Sequence, residues 1–155
     1  MSGIKISIDE NFINNFITKI IKDSDTKKVK DLHLSIENDI ITLNGCFIIF
    51  GKEKNISSSL ELVYFNKNFY VNPVKLKINT YPGVSKIIDG ISDILKEITE
   101  GISFEANIIT LEFSKMNFDA QIKNILNSFT IDNLVMNENK FFLTLGIKSE
   151  GEINV

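Results

Sequence analysis

Apolar and polar positions alternate over the first residues, Ile4, Ile6 and Ile8 against Lys5 and Ser7, and then change to a helical period. A two-residue repeat predicts a short strand from Ile4 to Ile8, and Asp9 stands where the cap of the next helix belongs. Phe12, Ile13, Phe16, Ile17, Ile20 and Ile21 fall on one broad face of a helix of about three turns. The polar run Asp23 to Lys28 closes it. Alternation returns at Leu32, Leu34 and Ile36, Asn38-Asp39 predicts a turn, and a second strand runs from Ile40 to Phe50 before Gly51.

Ile56 to Phe65 and Phe69 to Asn79, separated by Asn66-Lys67-Asn68, predict a long hairpin. Its second strand is expected to break at Pro73, which cannot donate to a ladder. Thr80-Tyr81-Pro82-Gly83 ends that strand. Val84, Ile87, Ile88, Ile91, Ile94, Leu95 and Ile98 predict a second amphipathic helix with Gly101 at its C-terminal cap. Gly90 inside it costs about 1 kcal/mol relative to Ala and is expected to mark a close approach to a strand. Ser103 to Phe113 reads as one strand, Phe118 to Phe129 as a third helix, and Thr130 to Met136 and Lys140 to Ile147 as the last strands. This describes one domain over residues 1–148, with a frayed tail over 149–155.

The strand from Ile40 to Phe50 does not divide into an apolar and a polar face. Ile41, Leu43, Gly45, Phe47 and Ile49 share one side, while Ile40, Thr42, Asn44, Cys46, Ile48 and Phe50 share the other. Burying one Ile or Phe contributes roughly 1.5 to 3 kcal/mol, so the second face is expected to be covered by another layer, another chain or an apolar ligand. The segment also has an echo. Ser35-Ile36-Glu37-Asn38-Asp39-Ile40-Ile41-Thr42-Leu43 reappears as Ser103-Phe104-Glu105-Ala106-Asn107-Ile108-Ile109-Thr110-Leu111, with a weaker copy from Asn137 to Phe142. Biased composition with shared turn chemistry is one reading; a recurring helix-plus-meander unit is the other.

Composition narrows the chemistry. All 17 basic residues are Lys, against 20 acidic ones, giving a net charge of -3. Without Arg there is no bidentate recognition of phosphate, and nucleic acid is not an expected partner. Ile, Asn and Lys make up roughly two-fifths of the chain, which reads as AT-rich coding. One Cys excludes an internal disulfide, and with one His it cannot build a structural zinc site unaided. His33 is expected at the surface and Cys46 as a small buried hydrophobe. No cluster points to a reaction, so no enzyme and no cofactor are expected. No signal peptide or membrane-spanning run is visible. Cytoplasmic synthesis is expected, with any release not using a classical secretion signal.

The order of elements, together with the pattern Leu-x-Leu-x-Ile-Glu-Asn-x-Ile-Ile-x-Leu-x-Gly from Leu32 to Gly45, resembles one module of the tubular lipid-binding (TULIP) superfamily. Within it, the small size and the Ile/Asn/Lys bias resemble the smallest of the OrfX-type proteins encoded beside clostridial neurotoxins. The resemblance implies an α+β fold, with a long curved antiparallel sheet wrapped on amphipathic helices. It also implies a non-enzymatic accessory protein of a toxin-associated complex that pairs with a larger TULIP-like protein or with itself. Phe47, Ile49, Phe50, Leu60, Leu62, Tyr64, Phe65, Ile87, Ile91 and Leu95 would then form an apolar lipid groove or a partner interface; a plain core is the bland reading of the apolar strand residues. Lys27, Lys28 and Lys30 after the first helix and Lys52 and Lys54 in a loop read either as an ordinary solvated charge run among Asp23, Asp25, Asp31 and Glu53 or, if they share a face, as contacts to anionic head groups. The competing expectation is a purely structural interaction subunit that binds no lipid.

Overall fold

A computed structural model describes residues 3–79 and 85–148, with the side chains of 85–88 outside that description. The fold is α+β, with three helices and two antiparallel sheets among the described residues. In order come β1 (Ile4–Ile8), α1 (Glu10–Ser24), β2 (Val29–Glu37), β3 (Ile40–Ile49), β4 (Lys52–Tyr64) and β5 (Val74–Ile78). Then follow α2 (Ser85–Ile98), β6 (Ile102–Glu105), β7 (Ile108–Leu111), a 3-10 turn at Phe113–Lys115, α3 (Ala120–Asn127), β8 (Phe129–Asn137) and β9 (Lys140–Ile147). The six-stranded sheet has the order β2-β3-β4-β5-β7-β6, and the second sheet has β1-β9-β8. The one long sheet expected from the sequence is therefore two, because the last hairpin pairs with the first strand of the chain.

Register sorts the six-stranded sheet into two faces. On the inner face Leu32, Leu34 and Ile36 stand beside Gly45, Leu43 and Ile41, and the apolar surface continues through Ile56, Leu60, Leu76, Ile78, Ile109 and Phe104. α2 lies on this face. Its Ile91, Ile94 and Ile98 pack with Phe47, Ile49 and Ile56, bordered by Ile20, Ile21, Val29, Leu32 and Leu95. A Cβ on Gly90 would fall 2.7 Å from the Ile49 side chain, so glycine lets the helix meet β3 as closely as the sequence implies. Ile78, Phe104 and Ile109 extend this core, and a cluster of Phe69, Tyr70 and Val74 reaches Leu126 of α3 and Ile131 of β8.

The outer face is mostly polar. Asn44 Nδ2 donates to Ser35 Oγ at 3.3 Å, Ser57 Oγ donates to Asn44 Oδ1 at 2.8 Å, and Asn79 Nδ2 donates to Ser59 Oγ at 2.8 Å. The cover expected over this side of β3 is accordingly not found among the described residues. Ile48 is half-buried opposite Glu53, Ile40 is exposed beside Glu37, and Phe50 has left the strand.

The edge of β2 is closed by α1. Leu34 N–H donates to Asn14 Oδ1 at 2.7 Å while Asn14 Nδ2 donates to Leu34 O at 2.9 Å, and Ile36 N–H reaches Glu10 Oε2 at 3.4 Å. One side-chain amide thus satisfies both outward backbone groups of an edge residue, which blocks further strand pairing there.

The echo proves to be a turn. Asn38-Asp39, Ala106-Asn107 and Glu138-Asn139 all have positive φ at both residues, between 50° and 65°, and each joins two antiparallel strands. Each hairpin follows a helix, so helix-then-hairpin occurs three times. The first and third turns also meet. Asp39 N–H donates to Asn139 Oδ1 at 3.0 Å and Asn139 N–H to Asp39 Oδ1 at 2.8 Å, linking the two sheets.

Several expected boundaries are corrected. Ser103 to Phe113 is not one strand but the β6–β7 hairpin and the turn after it. Phe69 to Pro73 is not strand; its turn instead buries Phe69 and Tyr70 beneath Phe65 and Phe113. Lys52 and Lys54 lie on β4, not in a loop, because the two-residue turn Phe50-Gly51 leads straight into it. The stretch Thr80-Tyr81-Pro82-Gly83, Val84 and the tail over 149–155 lie outside the described residues.

Candidate functional site

The broad apolar face of α1 is wider than one contact can bury. Asp9 Oδ1 accepts from Phe12 N–H at 2.9 Å and fixes the start of the helix. Ile13, Ile17, Ile20 and Ile21 are half-buried, whereas Phe12 and Phe16, one turn apart, stay exposed. α3 behaves in the same way. Asp119 Oδ1 caps it by accepting from Ile122 N–H at 2.9 Å, and Ile122 and Ile125 remain exposed.

Between these helices and the end of α2 lies a cleft of about 610 Å³. Phe16, Ile20, Ile98, Met116, Phe118 and Ile122 form its apolar lining, with Lys19, Asp23, Glu97 and Asp119 among the polar groups at it. Its floor depends on Gly101, at φ 88°, where a Cβ would fall 2.5 Å from Glu112 O and 2.9 Å from buried Met116. The volume falls within the range of small-molecule sites, roughly 300 to 1,000 Å³.

The residues expected to line a groove are dispersed. Phe47, Ile49 and Ile91 are core, with Leu95 packed against them, so α2 already occupies the inner face. Leu60 is half-buried beside Ile78, and Leu62 is exposed on the inner face. A bulge at Val63 turns Tyr64 to the outer face opposite Lys75, and Phe65 joins the Phe69 cluster. Phe50 stands at the tip of the β3–β4 hairpin, and the side chain of Ile87 lies outside the described residues. The cleft was missed because the helix faces read as ordinary core stripes. The available signal was the width of the α1 face.

The five lysines, by contrast, are gathered at one end of the six-stranded sheet. Ile48 N–H donates to Lys28 O at 2.8 Å, Phe47 stands between Val29 and Lys54, and Lys52 pairs with Ile49. Lys28 Nζ meets Glu97 Oε1 at 2.7 Å and Lys30 Nζ meets Glu53 Oε1 at 3.4 Å. Lys27, Lys52 and Lys54 have no ion pair among the described residues.

His33 and Cys46 share the outer face. His33 Nδ1 is 3.0 Å from Asp31 Oδ2 with both side chains well exposed, and Cys46 is a free, half-buried thiol, not a core residue. Among the described residues no group of three or more His, Cys, Asp or Glu is placed to hold a metal ion. No helix among them is long and apolar enough to cross a membrane. Comparison with protein-family models, with curated proteins and with solved structures finds no match for this chain.

Proposed function

We propose that the protein is a non-catalytic accessory protein that binds lipid, with the cleft between α1 and α3 holding an acyl chain. The observation that carries the reading is a cleft of about 610 Å³ with one apolar side, where Phe16 and Ile122 stay exposed beside Ile20, Ile98 and Met116. Covering those side chains removes apolar area from water; Lys19 is outnumbered at the cleft by Asp23, Glu97 and Asp119, so apolar burial and not head-group attraction carries the binding. The resemblance of the Leu32 to Gly45 pattern to TULIP modules supports the lipid class. On this reading a larger TULIP-like partner pairs with the chain in a toxin-associated complex.

Titration with a fluorescent long-chain fatty acid tests the cleft. Saturable binding is expected, with Ile122→Asp weakening it at least ten-fold and leaving the circular dichroism spectrum unchanged. Binding that Ile122→Asp leaves intact would contradict the assignment.

A second reading, a structural interaction subunit without lipid, draws on one further observation. Phe12 and Ile125, 60% and 52% exposed, lie outside the cleft lining and extend the apolar surface beyond it. An amphipathic helix from a partner would cover such a surface through anchors one turn apart. This reading predicts that the chain stays lipid-free and becomes monodisperse only with that partner.

A further inference from the structure

The geometry points to a second lipid contact: we propose that the β3–β4 turn is a docking tip that places Phe50 among the head groups of an anionic bilayer. It goes beyond the acyl-chain cleft, uses different residues, and names the surface from which a lipid-binding protein would work.

The turn is the first observation. Phe50 and Gly51, at φ 53° and 75°, are the two central residues of a tight hairpin that closes on the pair Ile49 and Lys52. Such turns favour Asn, Asp or Gly, and a bulky side chain in left-handed backbone is an outlier. The three comparable turns begin with Asn38, Ala106 and Glu138. Only here does a large aromatic residue take the position, and it is 90% exposed. Local strain with no burial in return fits a residue kept for an external contact.

The second observation is charge. Lys52 and Lys54 follow the tip on β4, while Lys27 and Lys28 approach it at the entrance to β2. Glu97 and Glu53 neutralise Lys28 and Lys30, leaving Lys27, Lys52 and Lys54 without a partner among the described residues. This positive end belongs to a chain with net charge -3, so an anionic surface attracts the tip and repels much of the rest. Lysines are point charges on flexible stems, suited to mobile phospholipid phosphates, and their stems can lie along the apolar region as the ring enters it.

The chain has no Trp, so Phe50→Trp supplies a single reporter at the tip. With phosphatidylcholine vesicles containing phosphatidylglycerol, its emission should shift to the blue and the protein should co-sediment, less so as salt is raised. Pure phosphatidylcholine vesicles should produce neither effect. Lys52→Ala and Lys54→Ala should each weaken partitioning about five-fold. Phe50→Asn suits the turn better, so its loss of sedimentation cannot be assigned to unfolding.

Phe16→Asp, in the cleft, should leave vesicle binding intact. That separates the two sites, since fatty-acid binding would be lost in Phe16→Asp and kept in Phe50→Asn. Unshifted emission with anionic vesicles, or vesicle binding lost in Phe16→Asp and kept in Phe50→Asn, would overturn the tip. A tip made for an acidic protein surface would give the first of those results.

Discussion

At Gly90 two effects of opposite sign meet. Helix propensity favours alanine by about 1 kcal/mol, but the added Cβ would fall 2.7 Å from a branch of Ile49, a side chain buried in the core. Overpacking of that kind costs about 1 to 3 kcal/mol, so Gly90→Ala should lower stability in urea unfolding. A gain would mean that α2 sits farther from β3. Asn14 decides a second local question. Asn14→Ala strips both hydrogen bonds from Leu34 at a partly buried sheet edge and should cost about 1 to 3 kcal/mol by the same measurement. Phe50→Asn should go the other way, raising stability by about 1 kcal/mol as turn strain is relieved.

At the scale of elements, a helix followed by a two-residue hairpin is the recurring unit, and most of it was legible. Asp9 and the Phe12 to Ile21 stripe give α1, and Asn38-Asp39 announces its turn through residues that tolerate positive φ. The same turn at Ala106-Asn107 shows in the sequence only through the echo of Ser35 to Leu43, because alanine itself carries no turn signal. Ala106→Gly relieves a φ of 50° and should stabilise the β6–β7 hairpin by about 0.5 to 1 kcal/mol, read as a higher melting temperature. The segment around Phe69 and Tyr70 misled for a different reason. Its residues are apolar because a turn packs inward, and burial alone does not distinguish a strand from a tucked loop.

For the molecule as a whole, the sequence disclosed how much apolar surface exists but not where it is left over. The doubly apolar end of β3 drew attention to Phe47 and Ile49, and α2 covers both. Part of what remains uncovered, Phe12, Phe16, Ile122 and Ile125, lies on α1 and α3, two helices far apart in the chain whose adjacency no local pattern reports. Likewise β1 completes its sheet with β9, at the other end of the chain. The lysines fared better. In sequence they form two separate clusters, and strand register draws Lys27, Lys28, Lys30, Lys52 and Lys54 to one end of a sheet.

The proposal that lipid is carried in the α1–α3 cleft is tested by native mass spectrometry of the purified chain before and after organic extraction. A co-purified mass in the fatty-acid or phospholipid range is expected, lost on extraction and missing from a folded Phe16→Asp variant. A chain that is lipid-free from the outset, or a mass that Phe16→Asp retains, would contradict it.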